Sequence, residues 1–358
     1  MLGAENLGGV LINAQHNFAW LTGGKSSGIN LSIENGACFL VVHDDGKKYV
    51  LANNIEMPRL LTEEISTEDF EPVEFTWENE KSSSDFIIKR AQSLLNGNKN
   101  LGSDLFLTDA VRPVENLIAR CRYELTEQET ERYRKLGKDA GAAIGLLFEN
   151  IKPEETEIEI AQKTKDALAA CNINSVVTLV GADERIEKYR HPIPTANKWK
   201  KILLVAVCAK REGLIVNLSR VACAGKISDE LQRRTEATAY VFAKLLSETK
   251  LGTSGAELYR IAAAAYAEKG FANEINLHHQ GGATGYKTRD WVAHPQSAET
   301  VRRSQAFAWN PSITGTKSED TSLTTADGFE MITEPSNFPQ IEVEINERKI
   351  ISAGILIL

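Results

Sequence analysis

One order of elements occurs twice in the last two-thirds of the sequence, and it limits the fold more than any other feature. Thr126-Glu127-Gln128-Glu129 forms a capping box, in which a threonine and a glutamate satisfy each other's free backbone N–H groups. Helical spacing follows from Thr130 to Asn150 and stops before Pro153. A second box, Thr156-Glu157-Ile158-Glu159, opens a helix running to about Cys171. Next come the loop Tyr189-Arg190-His191-Pro192-Ile193-Pro194-Thr195 and an apolar strand from Ile202 to Ala209. A second strand, Gly213 to Val221, follows across a short charged turn. The order then returns. Ser228 caps a helix reaching about Lys250, and Ser254-Gly255-Ala256-Glu257 caps another that stops at Gly270, a natural C-cap. His278-His279-Gln280-Gly281-Gly282 follows, then strands near Gln305–Trp309 and Thr321–Thr324. Two helices, a histidine loop and a strand pair, written twice, predict two related halves.

The stretch before this repeat reads differently. Gly9 to Asn13 is a short apolar strand, and Ala37–Val42 and Tyr49–Leu51 flank the turn His43 to Lys48, a hairpin signal. A helix is expected from Ser83 to Leu95, ending at Gly97, and a strand near Leu105–Leu107. With 358 residues the chain holds roughly two domains. The change of tempo after Cys121 puts their boundary between residues 122 and 123. The fold class is α/β (α+β): a smaller domain over 1–122 and a larger one over 123–358.

Charge narrows the partners. Lys and Arg number 41 against 49 Asp and Glu, a net charge of −8, without the concentrated basic face that nucleic-acid binding requires. No apolar stretch approaches the about 18 residues that cross a bilayer. Met1 to Trp20 contains Glu5 and His16 and lacks the charged leader and apolar block of a signal peptide. Five scattered cysteines without a CxxC pair read as reduced thiols, which places the chain in the cytoplasm.

Of six histidines, three lie in loops punctuated by Gly or Pro: His191, His278 and His279. Glycines beside a histidine permit close approach of a substrate or of another backbone. Imidazole titrates near neutral pH and suits proton transfer or metal binding. Any one loop histidine is ordinarily a hydrogen-bonded structural residue. Histidines at matching places in both halves favour a site. His16, His43 and His294 have no such setting and are read as structural or exposed. A second cluster spans Phe307-Ala308-Trp309-Asn310-Pro311-Ser312 and Gly315-Thr316-Lys317-Ser318-Glu319-Asp320-Thr321. A strand delivering a polar residue just before proline sets that group at a sheet edge. Glu319-Asp320 is either a catalytic carboxylate pair or an ordinary pair of turn acids.

His191-Pro192-Ile193-Pro194, the His-x-x-Gly of His278 to Gly281, and Gly315 to Asp320 resemble three landmarks of the creatinase, aminopeptidase P and prolidase superfamily, family M24. Asn17-Phe18-Ala19-Trp20-Leu21-Thr22-Gly23 is similar to the opening of its N-terminal domain, so the resemblance covers nearly the whole chain. It implies a creatinase-like N-terminal α/β domain and a C-terminal pita-bread domain with a pseudo-twofold repeat. It also implies a homodimer in which one subunit's N-terminal domain reaches over the other's site, bringing residues near Trp20 and Lys25 to it.

The superfamily's peptidases hold two divalent metals through two Asp, one His and two Glu. Carried over position by position, these fall at Ala206, Asn217, His278, Asn310 and Glu319. Only His278 and Glu319 keep the ligand type. Hard divalent ions need anionic oxygen donors, so the dinuclear centre is not expected; neither a metal nor any other cofactor is implied. Creatinase, which works without metal, uses a histidine matching His191 as general acid–base. Its second histidine and an arginine eleven positions on match His278 and Arg289, but the glutamates that grip its guanidinium substrate match Ser219 and Asn310.

The candidate catalytic residues are therefore His191, His278 and Asn310. The candidate substrate-binding residues are His279, Arg289, Asn217, Glu319 and Tyr286, with Lys287 nearby. Such a pocket is neutral or cationic and suits an anionic group, with Arg289 making a bidentate contact to a carboxylate. Asn217 and Asn310 either donate to a carbonyl oxygen or fill the volume of lost ligands. The leading reading is a metal-independent hydrolase cleaving a C–N bond of a small carboxylate-bearing substrate, amidino or peptide-like. A Xaa-Pro metallopeptidase and a non-catalytic module binding a small acid or peptide are the alternatives.

Overall fold

A computed structural model of the chain describes all residues from Met1 to Leu358. They fall into two units, Met1–Arg122 and Tyr123–Leu358.

The first unit contains β1 (Gly9–Ala14), α1 (Gln15–Leu21), β2 (Asn35–His43), β3 (Lys48–Asn53), α2 (Met57–Arg59), β4 (Glu71–Phe75), α3 (Trp77–Ser82), α4 (Phe86–Leu94), β5 (Leu101–Ser103), β6 (Arg112–Pro113) and α5 (Glu115–Cys121). The strands form one sheet in the order β4-β3-β2-β1-β5-β6. The hairpin expected around His43–Lys48 forms, with Phe39 opposite Leu51 and Val42 opposite Lys48. Strand alternation divides the core. Leu11, Val41 and Leu51 pack with Ile88, Ala91 and Leu95. Val10, Ile12, Leu40 and Val50 pack with Phe18, Met57 and Ile118. The strand expected near Leu105 lies four residues earlier, at β5. Gly102 there sits so close to Val114 and Leu7 that a Cβ would meet them at 2.8 and 3.1 Å, whereas Phe106 is 68% exposed.

In the second unit, α6 (Glu127–Glu149) and α7 (Glu157–Ala169) both open on the capping boxes read from the sequence. They are followed by β7 (Asn174–Ala182), α8 (Glu184–Lys188), β8 (Ile202–Arg211) and β9 (Leu214–Cys223). β7, β8 and β9 form an antiparallel meander. Ser228 and Ser254 cap α9 (Asp229–Glu248) and α10 (Gly255–Glu268). Next come β10 (Gly281–Thr284), β11 (Trp291–Val292), β12 (Ala306–Trp309), β13 (Ser312–Ile313), β14 (Thr316–Lys317), β15 (Asp320–Thr325) and β16 (Gly328–Met331). A second sheet has the order β11-β10-β12-β15-β16, again antiparallel, so paired capped helices followed by an antiparallel sheet do recur. The end of the chain adds the hairpin β17 (Gln340–Ile345) and β18 (Arg348–Ala353), then β19 (Ile355–Ile357), which joins β9 in parallel. None of these last three strands is among those expected from the sequence.

The two sheets meet through β9 and the start of β15. Ser219 N donates to Glu319 O at 3.0 Å. Thr321 Oγ1 accepts from Asn217 N at 2.7 Å and donates to Asn217 O at 2.9 Å, serving as a backbone partner where the ladder is interrupted. This seam carries the candidate site. No helix is long and apolar enough to cross a membrane.

Candidate active site

His191 is set by two acids outside the cavity, one buried and one partly buried. Glu157, at the first turn of α7 and fully buried, accepts from Ala182 N and Arg185 Nε through one oxygen. Its other oxygen accepts from Thr195 N and Thr195 Oγ1. It thereby ties both ends of the His191 loop to the helix. Arg190 donates to Glu274 Oε2 at 2.5 Å and to Thr314 Oγ1 at 2.9 Å, linking the loop to the segment that leads into His278. On that side Gln280, also buried, accepts from Tyr266 and donates to the His278 carbonyl. Gly281 has φ 102°, and a Cβ there would lie 2.1 Å from Ala308 O, so the turn into β10 needs glycine.

These supports bring the three loop histidines together. His278 Nε2 is 3.1 Å from His191 Nε2, and the His278 ring stacks on His279 with centroids 4.3 Å apart. His191, His279, Asn217, Asn310, Arg289 and Glu319 line a cavity of about 160 Å³, together with Lys317, Cys208, Thr288 and Ala206. Tyr286 does not belong to it. Its hydroxyl donates to Glu129 at 2.8 Å and accepts from Arg132 at 3.1 Å, because the side chain is buried against α6. Glu319 and Asp320 are not a catalytic pair, since neighbours on an extended segment point opposite ways. Asp320 is held by Arg220 at 2.8 Å in the core, where burial pushes its carboxyl up to about 6 against the pull of that guanidinium. A larger cavity of about 510 Å³ lies elsewhere in the second unit, and no histidine or candidate residue lines it.

Lys317 is the residue that sequence reasoning missed. Its ammonium lies 2.7 Å from Glu319 Oε2, and Arg289 Nη2 lies 3.3 Å from Oε1. Ser219 Oγ donates to the same carboxylate at 2.5 Å. Burial alone would raise the Glu319 carboxyl, but the two cations overcome it and hold it at about 2. The signal was the spacing: Lys317 and Glu319 are two apart on extended chain and so share a face. Burial, with help from Lys317, lowers His278 to about 3. Burial, then Arg289 and Lys317, lowers His279 to about 4, and His191 moves down as well. Three neutral imidazoles, one carboxylate and two cations leave the site with a charge of +1. Cys208 is an inert thiol here, its pKa raised to about 11 by burial.

This donor set does not fit the two divalent ions that the resemblance implies for its peptidases. Ala206 offers no ligand atom, Asn217 and Asn310 offer neutral amides, and the only carboxylate already carries two cations. The ligand nitrogens of His191, His278 and His279 do lie within 4.8 Å of one another. Ligating histidines ordinarily donate their second ring N–H to a carboxylate or carbonyl. Here His278 Nδ1 is buried without a partner, and the strongest charge acting on the ring is the Lys317 ammonium.

The free Nδ1 also fixes the tautomer. An unpaired buried N–H costs more than an unpaired lone pair, so His278 carries its proton on Nε2 and donates it to His191 Nε2. The lone pair of His191 Nε2 is therefore engaged by the His278 N–H. Asn217 resolves in the same way. Thr284 Oγ1 donates to Lys287 O at 3.0 Å and therefore accepts from Asn217 Nδ2, at 3.2 Å. The unpartnered end of Asn217, a residue that lines the cavity, is thus an acceptor, Oδ1, and not the donor considered from sequence. Asn310 Oδ1 is likewise buried and unpartnered.

Residues 131–332 match the sequence profile of metallopeptidase family M24. The chain is similar to a Xaa-Pro dipeptidase of Lactobacillus delbrueckii subsp. lactis, 22% identical over 241 residues. That match covers 64% of this chain and 65% of the relative's length. Among solved structures it is similar to the Xaa-Pro dipeptidase from Bacillus anthracis, with a TM-score of 0.78 and 17% identity over 100% of this chain and 97% of that one. The prolidase from Pyrococcus horikoshii OT3 also gives a TM-score of 0.78, with 18% identity over 93% and 95%. With the profile spanning more than half of its residues, the chain belongs to metallopeptidase family M24.

Proposed function

We propose that this M24 protein is a metal-independent hydrolase that cleaves a C–N bond in a small substrate bearing a carboxylate. The observation that carries this reading is the Lys317 ammonium on Glu319, a fixed cation beside the one acidic ligand position that remains. A fixed charge aimed at a developing oxyanion stabilises it without reorganisation at the moment of reaction.

In this scheme Arg289 takes the substrate carboxylate and Lys317 polarises the scissile carbonyl. A water that displaces the His278 N–H meets the lone pair of His191 Nε2, gives up a proton to it and attacks the carbonyl carbon. The C–N bond breaks, the proton returns from His191 to the departing nitrogen, and an acid and an amine result. His278 and His279 hold the base and the water in place. The neutral state of all three rings at pH 7 suits a base, and the cations beside them disfavour an imidazolium until the substrate's negative charge arrives. The Xaa-Pro dipeptidase similarity supports a peptide-like C–N bond equally well, but the donor set gives that route no metal.

The test is hydrolysis of small N-acyl and N-carbamoyl amino acids by chelator-treated protein. Turnover should persist in chelator and fall by about 10²–10⁴-fold in His191→Ala, the usual size of a general acid–base contribution. Turnover that requires manganese, or that survives His191→Ala, would overturn the proposal.

A further inference from the structure

We infer that the cavity recognises a ureido acid: a neutral carbamoyl NH₂ at one end and a carboxylate at the other. The inference deepens the reading above and shares its anion anchor. It starts from polar atoms that the protein itself leaves unpaired. Asn217 Oδ1 and Asn310 Oδ1 are buried acceptors without donors, and Arg289 Nε is a buried donor without an acceptor. All three residues line the same cavity. Buried polar groups are nearly always satisfied, so three orphans around one small space describe the complement of a ligand. That ligand brings N–H hydrogens to two amide oxygens and an oxygen to a guanidinium.

Charge decides which N–H group it is. An ammonium or guanidinium would face Lys317 and Arg289, and the one carboxylate nearby already carries both. A hydroxyl has a single hydrogen for two acceptors. The NH₂ of an uncharged carbamoyl or carboxamide group has two hydrogens and no charge, and its own carbonyl oxygen suits Lys317. Size points the same way. About 160 Å³ is near half the lower limit of about 300 Å³ for ordinary ligand pockets, so the occupant is a molecule of few heavy atoms.

Three acids with the same number of heavy atoms separate these features. N-carbamoylglycine has the neutral NH₂, guanidinoacetate replaces its carbonyl oxygen to give a cation, and N-acetylglycine replaces the NH₂ with a methyl group. Calorimetric titration of the chelator-treated full chain should show N-carbamoylglycine binding tighter than either analogue by on the order of tenfold, the scale of a hydrogen bond to a buried group. Asn310→Asp adds a carboxylate and should move the preference toward guanidinoacetate. Equal or tighter binding of an analogue, no binding of any of the three, or an unchanged preference in Asn310→Asp would overturn the inference. Binding of N-carbamoylglycine without turnover would refute the hydrolase reading and leave the recognition standing. Binding that appears only with added manganese would refute the metal-free reading.

Discussion

Lys317 and Glu319 form an ion pair of 2.7 Å, with 7% and 6% of the two side chains exposed. Taking two charges out of water is costly, and the pair persists because Ser219 and Arg289 complete the carboxylate's contacts. Removing one partner strands the other. Lys317→Met should lower stability by about 2–3 kcal/mol, under the about 3–5 kcal/mol of a fully broken buried pair because Arg289 stays. Urea unfolding checks this. Lys317→Met/Glu319→Gln should lose less than the sum of the single variants, since the double change leaves no uncompensated carboxylate. Additive losses would mean that the two side chains do not act as a pair.

The same pair predicts indifference to divalent metal. Protein purified without chelator should carry no stoichiometric manganese, cobalt or zinc, and titration with manganese or zinc should give no binding heat in the micromolar range. About two ions per chain would show that Lys317 swings out and that amide oxygens suffice as ligands.

Much of this is legible in the sequence, for identifiable reasons. Capping boxes are local chemistry, so Thr126, Thr156, Ser228 and Ser254 marked four helix starts without help from the rest of the chain. Loop histidines next to Gly and Pro were equally visible. Tyr286 was misplaced because sequence proximity to Arg289 says nothing of direction, and the partners that fix its hydroxyl, Glu129 and Arg132, lie more than 150 residues away. Asp320 was ambiguous until Arg220, one hundred residues earlier, appeared beside it. Which end of an asparagine faces a site depends on a third residue, here Thr284. Long-range pairing, not propensity, carries that information.

Protonation of the histidine cluster gives a pH test with a definite sign. His278 and His279 are depressed to about 3 and 4 in the folded chain, while the unfolded chain takes up protons near the ordinary value of about 6.5. The unfolded state therefore binds more protons in between, and stability falls as pH drops from about 6.5 toward 4. Glu319 adds the same sign only below the ordinary carboxylate range, and Asp320, raised to about 6, acts the opposite way between roughly pH 6 and 4. Both acids are common to wild type and variant, so the difference isolates the rings. His278→Asn/His279→Asn should show a shallower decline of its urea midpoint from pH 7 to 4.5. An identical slope would mean that the rings titrate freely.

Gly281 tests how tightly the histidine loop is tied to the sheet. Its φ of 102° is open to glycine and strained for other residues, at about 1–3 kcal/mol for a side chain held there. The neighbours add a steric demand, because a Cβ would sit 2.1 Å from Ala308 O and 2.9 Å from Trp309 Cα, both backbone atoms of β12. The two effects share one remedy, a shift of β10 away from β12, and that shift carries His278 and His279 with it and moves Asn310, whose N–H donates to Gln280 O at 3.0 Å. Gly281→Ala should therefore cost at least about 1–3 kcal/mol in urea unfolding. It should also weaken N-carbamoylglycine binding in the fraction that still folds. Gly270→Ala is the control: its φ of 81° is also positive, but nothing lies within 4 Å of a Cβ there, so it should lose stability and keep its affinity. Equal losses of affinity in the two variants would place the effect in global stability and not in the register of β10 on β12.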